Sequence, residues 1–299
     1  MAGIGDQGRK IAWRGASRYN TAIAMTNEHL SHRMHSVPGG SDPSVSDLLS
    51  VAIDAAYLAG RRTLAYFNTR LPVEIKADHT PVTQADREAE QVIRTCIART
   101  FPDHAILGEE GGKTEGNPDY RWIIDPIDGT KSFICGMPLY GVLIGVEIRG
   151  KPSVGVVYMP ALDEMVVAAT GMGCRWNGRP ARVSSLSRLE DAALMVSSIT
   201  SAIARSDAFE NLAGKTRIQR TWGDCYGYVL VATGRAEVML DSAIKPWDIA
   251  PMLPIIQEAG GQFSDWSGEP TIWGKDAVAT NGHLHNTVLQ ILKAEKARQ

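Results

Sequence analysis

The chain has 299 residues, 44% of them hydrophobic and 21% charged, with a formal net charge of −2. These values exclude a wholly disordered chain, leave room for one large or two modest domains, and offer no general attraction to nucleic acid or an anionic membrane surface. No apolar stretch approaches the roughly 20 residues that cross a bilayer. Cys96, Cys135, Cys174 and Cys225 have neither CxxC spacing nor the density of a disulfide scaffold, so reduced thiols in a cytoplasmic setting are expected.

Residues 1–40 stand apart. They carry Asp6 as the only acid before Glu28 and lack the apolar segment of a secretory signal. A disordered extension is expected there, with a transit-like composition as the alternative. After Pro38-Gly39-Gly40-Ser41, the residues Leu48, Leu49, Ala52, Ile53, Ala56, Ala59 and Leu64 recur at helical spacing, which predicts an amphipathic helix reaching residue 68. Val73-Glu74-Ile75-Lys76 reads as a short strand, and residues 83–100 as a second helix with Ala85, Ala89, Val92, Ile93 and Ile97 inward. Strand patterns follow over 121–125, 141–148, 154–158 and 165–169, then a hairpin turn at Asn177-Gly178. A fresh alternation starts near Ala192, with strands over 194–198, 217–221 and 237–240, helices over 224–233 and 247–259, and a last helix after His283. The expected division is an N-terminal half over 41–184 and a C-terminal half over 185–299.

The densest chemistry lies in Trp122-Ile123-Ile124-Asp125-Pro126-Ile127-Asp128-Gly129-Thr130-Lys131-Ser132-Phe133. It sets two carboxylates where an apolar strand breaks into a Pro/Gly turn. Acids are rarely buried unless their charge is compensated, and ligands gather at such sheet edges, so a divalent cation is the expected compensation. Mg2+ takes oxygen ligands from several elements, and Glu109, Asp125, Asp128 and Asp248 have that character. Taken singly, each has a plainer explanation: Asp128 as a turn residue before Gly129, Asp248 as an acid at the start of a helix. Asp86, in Thr83-Gln84-Ala85-Asp86, reads as a helix-capping acid.

Three separated motifs make the set a pattern: Gly108-Glu109-Glu110-Gly111-Gly112, the run through Asp125 and Asp128, and Lys245-Pro246-Trp247-Asp248-Ile249-Ala250 followed by Glu258-Ala259-Gly260-Gly261. In this order they resemble the inositol monophosphatase superfamily of Mg2+-dependent, lithium-sensitive phosphatases, over residues 44–295. The resemblance implies an α/β fold, the layered αβαβα sandwich shared with fructose-1,6-bisphosphatase. It also implies that Glu109, Asp125 and the Ile127 carbonyl hold one Mg2+, that Asp125, Asp128 and Asp248 hold a second, and that Asp86 and Thr130 orient the attacking water or hold a third. Gly129 and Thr130 would donate amides to the phosphate. Direct attack by a metal-activated water fits a chain without GxSxG or HExxH. A homodimer is expected on the same grounds.

The leaving group should be read by the C-terminal half. Trp222-Gly223-Asp224-Cys225-Tyr226-Gly227-Tyr228 and Asp-Gly-Thr-Lys-Ser-Phe resemble the histidinol-phosphate phosphatases of the superfamily. Asp224, with Asp241 seven residues before Asp248, would favour a cationic substrate by Coulomb attraction. Histidinol phosphate carries an ammonium and an imidazole. The plainer reading of Asp224 is a helix N-cap, and of Tyr226 and Tyr228, core packing. Inositol monophosphatase, a broad sugar-phosphate phosphatase, a 3'-nucleotidase and a catalytically silent relative are the competing functions.

Overall fold

A computed structural model describes residues 42–294; the extension expected over residues 1–40 lies outside them. Helix α1 (Val45–Leu64) opens on a capping box, in which Ser44 Oγ accepts from Asp47 N at 3.2 Å and Asp47 Oδ2 accepts from Ser44 N at 3.2 Å. Its buried stripe is mostly small, including Ala52, Ala55, Ala56, Ala59 and Gly60, which lets the helix approach the sheet beneath it closely. Where the spacing predicts helix to residue 68, regular structure stops at Leu64 and the following turns reach Asn68 at φ 60°, the left-handed geometry that closes helices.

A small hairpin of β1 (Glu74–Ile75) and β2 (Pro81–Val82) leads into α2 (Gln84–Thr100). Thr83 caps α2 as its sequence predicts. The buried face of α2 holds Ala85, Ala89, Ile93 and Ile97, but also Asp86 and Glu90. Carboxylates on an inward helical face require partners: Asp86 accepts from Thr83, and Glu90 accepts from Arg94 and from the Glu110 and Gly111 amides.

The first sheet takes β3 (His104–Gly108), β4 (Gly112–Thr114) and β5 (Asn117–Asp128). After the short helix α3 (Thr130–Ile134) it continues through β6 (Gly141–Ile148), β7 (Lys151–Met159), β8 (Glu164–Ala169), β9 (Gly173–Trp176) and β10 (Arg179–Pro180). Their order is β10-β9-β8-β7-β6-β5-β3-β4, with β3 parallel to β5 and the other pairs antiparallel. The central strands β6 and β7 are buried almost end to end, because both faces are covered. That is why they read as unbroken apolar runs.

The second sheet is built from β11 (Ala193–Val196), then, after α4 (Ile199–Arg205) and α5 (Ala208–Ala213), β12 (Ile218–Arg220). Helix α6 (Asp224–Ala232) precedes β13 (Val238–Asp241); α7 (Pro246–Ile249) and α8 (Met252–Glu258) precede β14 (Gln262–Ser264), β15 (Ala277–Thr280) and α9 (His285–Ala294). The order is β12-β11-β13-β15-β14, parallel among β12, β11 and β13 and antiparallel beyond. The single helix expected over 247–259 is two helices, since Pro251 has no N–H to give to the turn before it.

Side-chain alternation stacks these parts into layers. Met195, Met239, Ala277 and Ala279 face a core shared with Ile123, Leu143 and Val157 of the first sheet and with α6 and α8. Their neighbours Leu194, Leu240 and Val278 face outward to Phe209, Leu212, Val288 and Leu292 of α5 and α9. Helices α1 and α2 cover the first sheet. The result is the αβαβα sandwich the sequence implies. No helix among the described residues is long and apolar enough to cross a membrane. Cys96, Cys174 and Cys225 are buried and Cys135 is exposed, all as free thiols.

Candidate active site

Strand β5 does not end at Asp125 as the sequence reading has it. It runs on to Asp128 through a bulge, with Asp125 opposite Leu143 and Asp128 opposite Gly141. Pro126, lacking a ladder donor, suits the extra position. Ile127 anchors the bulge from below, its side chain buried with Ala85, Phe133 and Tyr140, while its amide donates to Asp125 Oδ1 at 2.9 Å and its carbonyl accepts from Thr130 Oγ1 at 3.0 Å. The chain then turns at Gly129, φ 81°. A Cβ there would also meet Leu139 O at 3.0 Å and Asp224 Oδ2 at 3.2 Å, so only glycine serves.

The bulge brings Asp125 and Asp128 to Asp248 of α7: the three offer oxygens within 4.8 Å of one another. Each is held. Asp128 Oδ2 accepts from Cys225 N at 2.5 Å, and Asp248 Oδ2 accepts from Lys245 N at 2.8 Å. Burial pushes Asp125 well above the usual carboxylate range, and Glu109, Asp128 and Asp248 push it further. Asp128 is raised by burial and then by Asp224 and Asp248; Asp248 is lifted to about 7 by burial, with Glu109, Asp241 and Asp224 adding to it against the hydrogen bond from Lys245 N. Buried like charges favour protons or cations, and a divalent ion reverses the shifts.

Glu109 and Asp86 complete the surroundings. Glu109 raises the Asp125 pKa through contact as well as charge, but its Oε1 accepts from Lys76 Nζ at 2.8 Å, and Glu110 Oε1 accepts from the same ammonium at 2.5 Å. Burial disfavours the Lys76 charge, yet the two carboxylates outweigh burial and raise its pKa. Glu110 is lifted by burial to about 7. Asp86 Oδ2 accepts from Thr83 N at 2.8 Å and Thr83 Oγ1 at 2.6 Å. Its other oxygen, Oδ1, is buried with no partner, and burial raises its pKa. The cap thus occupies one oxygen of the carboxylate and leaves the other unpartnered. An all-oxygen set around a triad centred on the buried Asp125, with an orphaned acceptor nearby, fits a hard divalent cation.

Beside the triad a cleft is lined by Asp128, Ser197, Asp224, Tyr228, Asp241 and Asp248 among others. Asp241 is buried, accepts from Tyr228 Oη at 2.9 Å, and is raised by burial to about 7. Asp224 is not the helix cap of the plainer reading. Gly223 occupies that position without a side-chain bond, and Asp224 is the first residue of α6 at φ 48°, its amide donating to Ser197 Oγ at 2.7 Å. Burial raises its carboxyl, against the pull of Lys131. Tyr228 is core, as expected, and Tyr226 packs at the core's edge.

Sequence reasoning missed Lys76, Ser197 and Glu90. A lone lysine or serine carries no spacing signal. Glu90 does, lying four residues after Asp86 beside the apolar stripe of α2.

A profile for the "Inositol monophosphatase family" matches residues 44–297. A histidinol-phosphatase of Chlorobaculum parvum is 42% identical over 257 residues, covering 84% of this chain and 98% of that one. A histidinol-phosphatase of Mycobacterium tuberculosis is 39% identical over 258 residues, covering 83% of this chain and 98% of the relative. Among solved structures, the extragenic suppressor protein SuhB of Bartonella henselae superposes with a TM-score of 0.78 at 30% identity, covering 83% of this chain and 98% of that one.

Proposed function

This chain belongs to the inositol monophosphatase family of phosphomonoesterases, and from that premise we propose that it hydrolyses L-histidinol phosphate to L-histidinol and phosphate with Mg2+. The observation that carries the substrate is the pair Asp224 and Asp241, whose carboxyls line the cleft next to Asp128 and Asp248. Acids beyond those needed for metal suit a leaving group bearing an ammonium and an imidazole. The names of the two histidinol-phosphatase relatives support the same substrate.

In this reading Glu109, Asp125 and the Ile127 carbonyl would hold one Mg2+, and Asp125, Asp128 and Asp248 a second; Asp86 and Thr130 would orient the attacking water or hold a third. When bound, such ions lower the pKa of a coordinated water and neutralise charge on the phosphoryl and leaving oxygens. The Thr130 hydroxyl proton is committed to Ile127 O, so its oxygen accepts from the attacking water, and the free Oδ1 of Asp86 is a second acceptor. Together they turn a water lone pair toward phosphorus. The Gly129 and Thr130 amides bind phosphoryl oxygens. Residues 41–184 thus supply most metal ligands and 185–299 the selecting acids, in a cytoplasmic homodimer.

Turnover of histidinol phosphate, inositol 1-phosphate and adenosine 3',5'-bisphosphate under Mg2+ is the test. The highest kcat/KM is expected for histidinol phosphate. A preference for inositol 1-phosphate would make the chain a polyol phosphatase, and no phosphate release from any ester would leave a silent relative.

A further inference from the structure

Glu90 is a buried acid that the proposed chemistry does not use. Its side chain is 3% exposed, yet it sits on the inward face of α2, where an apolar residue would cost less. Its two oxygens serve three donors: Oε2 accepts from Glu110 N at 2.8 Å, and Oε1 accepts from Gly111 N at 2.7 Å and Arg94 Nε at 2.7 Å. Arg94 extends the brace, donating from Nη2 to Gly112 O at 2.6 Å and from Nη1 to Thr114 Oγ1 at 2.8 Å. The segment is shaped around this carboxylate. A Cβ on Gly108 would lie 2.5 Å from Glu90 Oε1, and one on Gly111 2.6 Å from it, so the glycines flanking Glu109-Glu110 leave room for the acid.

Glu109 is thereby clamped on both sides. Its own amide donates to Ile124 O at 3.2 Å, one residue before Asp125, and the next two amides are tied to Glu90. We infer that Glu90 is a positioning residue for the metal site, fixing the backbone of Glu109 relative to Asp125 so that their carboxylates meet one cation. The inference rests on the reading of Glu109 as a ligand. A glutamine at position 90 keeps the size but offers one acceptor oxygen and turns an amide donor toward a backbone or guanidinium donor. A residue that merely packed α2 against the sheet would tolerate that change without altering cation affinity.

The test is calorimetric titration of Mg2+ into the metal-free full chain, as wild type, Glu90→Gln and Glu109→Gln. Glu90→Gln should weaken Mg2+ binding by about 10–100-fold, the range for residues that orient ligands, with turnover recovered at high Mg2+ and KM for the ester unchanged. Wild-type affinity in a folded Glu90→Gln protein, beside weakened binding in Glu109→Gln, overturns the inference. Unchanged binding in Glu109→Gln overturns instead the ligand reading beneath it. Should Glu90→Gln fail to fold, amide exchange in the metal-free wild type decides: the Glu110 and Gly111 N–H groups should exchange slowly, and exchange at the rate of open amides removes the brace.

Discussion

Asp125 is a residue that burdens the fold and that the proposed site requires. It is 2% exposed, spends one oxygen on the Ile127 amide, and faces Glu109, Asp128 and Asp248. Asn keeps the shape and removes the charge. Asp125→Asn should lower Mg2+-dependent turnover roughly a thousandfold or more, since a cation's charge stabilisation amounts to several kcal/mol. The metal-free variant should melt no lower than the metal-free wild type, because a repelling charge is gone. Near wild-type turnover at saturating Mg2+ in a folded variant would contradict the shared-ligand role. Asp224 is tested in the same way. Asn also tolerates its left-handed φ of 48°, so Asp224→Asn spares the backbone and removes the charge. A hydrogen bond to a charged group contributes roughly 1.5–3 kcal/mol, so kcat/KM for histidinol phosphate should fall about ten- to hundredfold while that for glycerol phosphate holds. Equal losses on both esters would leave Asp224 no part in recognising a cation.

At the scale of elements, the sequence is most readable where burial and local chemistry agree. Helix α2 starts at its capping residue, and β6 spans the same residues that its apolar run marks. Strands β4 and β14 were not legible: β4 is exposed throughout, and β14 is three residues long. Nor was β3, whose apolar residues are too few to separate strand from loop. Its His104 lies buried between the rings of Phe101 and Tyr120, 4.6 Å from each, and accepts from Trp122 Nε1 at 3.0 Å through Nδ1. Burial holds its pKa below the usual value, Asp103 opposing weakly. A lowered histidine pKa gives stability that is complete above the unfolded value of about 6.5 and is lost as pH falls through the folded value. Between pH 7.5 and 5.5, Tm should therefore fall further in the wild type than in His104→Phe. Parallel melting curves would mean that His104 takes up its proton without cost.

For the molecule as a whole, the candidate site was easier to propose from the sequence than the contacts around it. Glu109, Asp125, Asp128 and Asp248 stand in short motifs, so their order along the chain could be read directly. Lys76, Ser197 and Glu90 reach the same place only by folding, from a hairpin, a strand end and the inward face of a helix, and no spacing in one sequence records that. The start of the family match, by contrast, coincides with a structural feature. The family match begins at residue 44, and Ser44 already closes the capping box of α1. Among the described residues, those proposed for the site all lie after it, from Asp86 to Asp248. Removal of residues 1–41 keeps Asp42, which pairs with Arg149 at 2.9 Å. It should shift Tm by no more than about 1–2 °C, the effect of roughly 0.5 kcal/mol in a domain of this size, and leave Mg2+-dependent phosphate release at the full-length rate. A larger fall in Tm, or a loss of turnover at unchanged Tm, would show that the first 41 residues stabilise the folded unit or complete the cleft.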